Sequence, residues 1–144
     1  MWKGYFLVML NSLQRAIYQK LTDKGFTVLD VIDEEAKMPY LKLGDTNLKD
    51  KRIRTGEIIH FVTWELSYFY DDQSKKGRKE VNSKYMDIYN SLYEMLYGIS
   101  GEYEIIDCEL SENDSNGINE HYIDENTVLY ECSISFDFTL QRRV

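Results

Sequence analysis

Residues 128–140 alternate almost without a break. Val128, Tyr130, Cys132, Ile134, Phe136, Phe138 and Leu140 are apolar, and Glu131, Ser133, Ser135, Asp137 and Thr139 stand between them. Successive side chains leave a strand on opposite faces, so this segment reads as a long strand with one face on a core and the other wet. Such a strand needs partners in a sheet and an apolar cover over its buried face.

Partners are easily found. Residues 57–70 form a long strand with Ile58, Val62, Trp64, Leu66, Tyr68 and Tyr70 on one face and Thr63, Glu65 and Ser67 on the other. Residues 103–110 make a shorter strand, and residues 26–32 a first strand ended by Asp33-Glu34-Glu35. Pro39, the only proline, suits the first position of a strand because it fixes φ and donates no hydrogen bond. Tyr40, Leu41 and Leu43 continue that second strand, and Gly44-Asp45 stops it. Residues 45–56 are polar and read as a loop. So do residues 111–126, an acidic stretch with an Asn116-Gly117 turn signal that predicts a mobile hairpin loop.

Two helices supply the cover. Leu10, Leu13, Ile17 and Leu21 recur at helical spacing and Gly25 fits a C-terminal cap, which predicts a helix over residues 6–24. Val81, Tyr85, Ile88, Leu92, Met95 and Leu96 form the apolar stripe of a second helix, with Gly98 and Gly101 at its end. The expected architecture is α+β in the order α-β-β-β-α-β-β. A single mixed or mostly antiparallel sheet carries both helices on its apolar face, in one domain over residues 1–144.

Charge narrows the function classes. The net charge of −8 argues against a chain-wide nucleic-acid footprint. Residues 85–141 contain no Lys or Arg but thirteen Asp and Glu, whereas basic residues cluster earlier, at Lys49, Lys51, Arg52 and Arg54 and at Lys75, Lys76, Arg78 and Lys79. Those clusters are either solvated loops or one side of a molecule with unlike charged sides, able to stack on copies or partners of opposite sign. The apolar run at residues 5–10 is far too short to span a bilayer and lacks the cleavage site of a signal peptide, so no membrane partner is expected. Cys108 and Cys132 lie in neighbouring predicted strands and could face each other; the expectation is two reduced, partly buried thiols.

Candidates for catalysis are few. His60 begins the long 57–70 strand on its core-facing side and reads as structural, and His121 lies exposed in the acidic loop. Neither histidine has zinc-ligand spacing, the cysteines form no CxxC, and GxSxG, phosphate-loop and GxGxxG patterns are absent from the sequence. Asp71-Asp72 and the acidic loop lack the spacing of a calcium loop. No catalytic residue, metal or cofactor is expected.

With the elements placed, the chain resembles the tail-completion, or tail-terminator, proteins of long-tailed bacteriophages. The residues that carry the likeness are the helix segment Leu13-Gln14-Arg15-Ala16-Ile17-Tyr18-Gln19-Lys20-Leu21 and the strand Pro39-Tyr40-Leu41-Lys42-Leu43-Gly44. They continue with the strand centre Phe61-Val62-Thr63-Trp64, a helix over residues 79–97 and the final alternating strand. The resemblance implies a non-enzymatic virion-assembly protein. Its copies would form a hexameric ring at the head-proximal end of the tail tube, end tube growth and allow joining to the DNA-filled head. Implied partners are further copies of the chain, the tail tube protein, head–tail connector proteins and, non-specifically, DNA in the channel. The implied location is the virion, after assembly in the host cytoplasm. By the same analogy the loop holding Lys49, Lys51, Arg52 and Arg54 would contact a neighbouring subunit or face the channel. The competing reading is an acidic immunity or inhibitor module that covers a basic partner; a small hydrolase using its carboxylates is a third.

Overall fold

The structure is a computed structural model and describes residues 2–29, 37–72, 77–113 and 115–143. In chain order the elements are α1 (Trp2–Asp23), β1 (Val28–Leu29), β2 (Tyr40–Arg52), β3 (Ile58–Asp72), α2 (Gly77–Tyr93), β4 (Ile99–Ser100), β5 (Tyr103–Leu110), β6 (Gly117–Tyr122) and β7 (Val128–Arg142). They build the expected α+β fold: one mixed sheet in the order β1-β2-β3-β7-β5-β4, with β6 also paired to β7. Among the described residues β1–β2 is the one parallel pairing, and the others are antiparallel.

Helix α1 forms because Met9, Leu13, Ile17 and Leu21 recur every four residues and bury completely. Its end is set by Gly25, at φ 95°, which no side-chain-bearing residue adopts readily. There the Gly25 amide donates to Thr22 O at 3.0 Å and the Phe26 amide to Leu21 O at 3.1 Å, a Schellman cap with buried Leu21 and Phe26 as its apolar pair. Helix α2 buries Val81, Ile88 and Leu92 and stops at Tyr93, four residues before the sequence-based end. Tyr97 adopts φ 64° and turns the chain back, its amide donating to Ile105 O at 2.8 Å.

Strand β7 is the spine of the sheet. On one side β3 pairs with it from Ile59↔Gln141 to Asp72↔Val128. On the other side β5 and β6 lie end to end, β5 against residues 136–142 and β6 against residues 128–133. Tyr130, Cys132, Ile134, Phe136, Phe138 and Leu140 are buried under the helices, as the alternation requires. Ile134, Phe136, Phe138 and Leu140, removed from water, contribute about 1.5–3 kcal/mol each. Phe136 makes edge contact with Tyr93 of α2, the ring centroids 4.8 Å apart, and so fixes the helix over the spine.

Two polar segments expected as loops contain strand: most of residues 45–56 and six residues of 111–126. Residues 46–52 continue β2, leaving only residues 53–57 as the turn to β3. Residues 117–122 form β6, and its approach is held by side chains instead of apolar packing. Asn116 Oδ1 accepts from the Ser135 amide at 2.7 Å, Asn116 Nδ2 donates to Ser111 O at 2.8 Å, and the Ser111 amide donates to Ser135 O at 2.8 Å. An asparagine side chain thus stands in for the ladder partner that β7 lacks between β5 and β6. β4 is a further short strand beyond the expected order. The expected first strand is strand only at Val28–Leu29, and Asp33-Glu34-Glu35 lies outside the described residues.

Candidate functional site: the outer face of the sheet

The face of the sheet turned away from the helices owes its composition to two irregularities. In β2 the register moves from Leu43↔Leu66 to Thr46↔Trp64, so Gly44 and Asp45 together oppose Glu65. Glycine suits this place, because a Cβ on Gly44 would lie 3.0 Å from Glu65 O. The bulge reverses the parity of the strand. Leu41 and Leu43 point into the core, whereas Lys49 and Lys51, also odd-numbered, point outward opposite Phe61 and Ile59. In β5 a second bulge at Ile106 lets Ile105 and Cys108 both face the core and turns Asp107 and Glu109 outward.

The outer face can therefore be read in cross-strand rows. One runs Lys51, Ile59, Gln141, Glu104; the next Lys49, Phe61, Thr139, Asp107; a third Asn47, Thr63, Asp137, Glu109. At β2 lysines end two of the three rows and Asn47 the third, whereas carboxylates end all three at β5. Adjacent strands are ~4.8 Å apart, so the two ends of a row lie about 14 Å apart. Between them is a depression of roughly 380 Å³ floored by Phe61, Thr63 and Asp137 and edged by Lys49, Asp107 and Glu109. Thr63 Oγ1 donates to Asp137 Oδ1 at 2.6 Å, which satisfies the most central carboxylate, and Phe61 remains 40% exposed.

The basic cluster expected as one loop is divided by this geometry. Lys49 and Lys51 lie on strand β2 and face outward, Arg52 ends the same strand on the opposite face, and only Arg54 sits in the turn. Asp50 also points to the helix side, where its Oδ1 lies 2.7 Å from His60 Nδ1. His60 is buried and packs edge-on against Tyr103, a structural role as its strand position implies. His121 is exposed as expected but sits on β6, with Nε2 3.2 Å from Glu131 Oε2.

The two thiols do not meet. Cys108 is level with Phe138 and Cys132 with Tyr68 and Ile118, six residues further along β7, or about 20 Å. Both are free and buried. Burial pushes the Cys108 thiol up to about 11 and Cys132 up to about 12, so neither has the character of a nucleophile. Burial likewise raises the Tyr68 and Tyr85 phenols. Among the described residues no group of three or more His, Cys, Asp or Glu side chains is placed to hold a metal ion, and no helix is long and apolar enough to cross a membrane.

Sequence reasoning missed the β5 end of the rows. Asp107 and Glu109 were visible only as members of an acidic region; the available signal was that Ile105, Ile106 and Cys108 break strict alternation, as a bulge does.

No protein-family model matches the chain, and no curated protein matches it. In fold it is similar to a chain of the solved structure described as "Virion of native gene transfer agent (GTA) particle". The TM-score is 0.67 at 13% sequence identity, over 92% of this chain and 97% of that one. The two chains share a fold across nearly their whole lengths.

Proposed function

We propose that this chain is a structural protein of a phage-like virion and works there as a tail-completion subunit. Copies of it form a hexameric ring on the head-proximal end of the tail tube, end the growth of the tube, and offer head–tail connector proteins a docking surface. DNA passes through the ring without specific contacts. The work is surface recognition, and no bond chemistry is assigned to it.

The observation that carries this reading is the whole-domain likeness in fold to a chain of a gene transfer agent virion, at a TM-score of 0.67. The sequence resemblance to tail-completion proteins, carried by the helix, Pro39-Tyr40 strand and alternating final strand, points the same way. Lys49, Lys51, Arg52 and Arg54 are assigned to contacts with neighbouring subunits or the channel, Lys49 and Lys51 on one face of β2 and Arg52 on the other.

The test is reconstitution. Tails assembled without the protein are mixed with it and then with DNA-filled heads, and followed by electron microscopy and infectivity. A ring at the tube end and recovered infectious particles are expected. Unchanged tube length and no joining would overturn the tail role.

A further inference from the structure

We infer that the lysine margin and the carboxylate margin of the outer face are the two halves of one contact, through which one copy of this chain binds the next head to tail. The inference rests on the virion-subunit reading for its setting, and it names the partner of the lysine margin as the carboxylate margin of a second copy.

Position carries the argument first. Lys51 and Lys49 end their rows on β2, and β1 covers only Leu41 and Lys42 of that strand, so the β2 edge from Thr46 to Arg52 has no strand beyond it among the described residues. At the far margin Asp107 and Glu109 project from β5 past the reach of β4, which pairs only with Tyr103 and Glu104. The lysines and the carboxylates stand on adjacent rows of the same sheet. A second copy displaced by one sheet width along the rows, with no slip along the strands, brings Lys49 level with Asp107 and sets Lys51 and Glu109 one row to either side.

Charge then selects the arrangement. A two-fold contact through β2 would set Lys49 and Lys51 against their own copies, and a two-fold contact through β5 would set Asp107 and Glu109 against theirs. Like charges so placed repel, whereas the head-to-tail contact pairs opposite charges. A heterologous contact of this type closes into a ring when its rotation permits. The residues are available for it: Lys49, Lys51, Asp107 and Glu109 are exposed, and none of them takes part in an ion pair among the described residues.

The experiment uses the full chain, half of it isotopically labelled, concentrated to near-millimolar and treated with a zero-length carbodiimide cross-linker. Mass spectrometry should find Lys49 or Lys51 of one copy joined to Glu104, Asp107 or Glu109 of another, in peptides of mixed label. Lys49→Glu with Lys51→Glu should weaken self-association more than about tenfold, and so should Asp107→Lys with Glu109→Lys. Mixing these two variants, or combining all four changes in one chain, should restore it. Circular dichroism of each variant checks that the fold is kept. Cross-links confined to single-label peptides, or charge reversals without effect or without mutual rescue, would overturn the inference. The assay contains no virion component. A chain that makes this contact yet leaves tails uncapped refutes the tail role alone, and one that completes tails despite either charge reversal refutes the contact alone.

Discussion

Trp64 sits at the middle of the sheet, 5% exposed, with Thr46 and Phe136 as its cross-strand neighbours. Its indole Nε1 is buried and finds no acceptor among the described residues. Replacing it by phenylalanine sets two effects against each other. The smaller ring loses about 0.5–1 kcal/mol of transfer free energy and leaves roughly 40 Å³ unfilled, which at about 24 cal/mol per Å³ costs ~1 kcal/mol more. Removing a buried N–H without a partner recovers its desolvation penalty, about 1–3 kcal/mol. The two nearly cancel, leaving between about 1 kcal/mol lost and about 1.5 kcal/mol gained, so Trp64→Phe should change stability little, with a Tm within a few degrees of the parent chain. Trp64→Ala removes the ring altogether and should cost about 3–5 kcal/mol. Urea titration followed by circular dichroism measures both, and needs no tryptophan signal. If Trp64→Phe lost more than ~1.5 kcal/mol, the indole N–H would have to be making a bond, and the reasoning would fail.

Cys108 and Cys132 should react with a disulfide reagent at pH 8 only as fast as the protein unfolds, and both should react promptly in denaturant; rapid labelling of the native chain would contradict their burial. Their raised pKa values, about 11 and about 12, also contribute to the alkaline limb of stability. The folded thiols stay protonated where unfolded thiols ionise, so this contribution is full below about pH 8.5 and is lost as pH rises through 11–12, which denaturant titrations at pH 8 and pH 10.5 can compare. Asn116→Ala uncovers the Ser135 amide and should cost about 1–3 kcal/mol. Amide exchange should then rise in residues 117–122 and 128–135 while β3 keeps its protection; uniform protection would rule out the side-chain splice.

Much of the architecture was legible because it is written in apolar spacing. The faces of β7 and β3, the stripe of α2 and the glycine cap of α1 are all solved by burying one side of a periodic segment. What stayed hidden is held by polar groups. Residues 117–122 carry only Ile118 and Tyr122 as apolar members, and their strand exists through backbone pairing and the Asn116 side chain. In β2, Leu48 is the lone apolar residue after the bulge, so the segment reads as a loop although it is paired throughout. The candidate site was half visible for the same reason. Lys49 and Lys51 were found by charge, but a one-residue change of parity at Gly44-Asp45 decides which face they share and separates them from Arg52. Asp107 and Glu109 could not be set opposite them until the β3–β7–β5 order was known.

The continuous pairing of β3 with β7, from Ile59 to Asp72, has a mechanical consequence. A pull along the strands loads every bond of that ladder at once and must shear them together. A pull across the sheet meets an edge first, β1 on one side and β4 or β6 on the other, and opens one pair at a time. The molecule is therefore stiff in one direction and peelable in the other, and a force applied along β7 is the one it is built to resist.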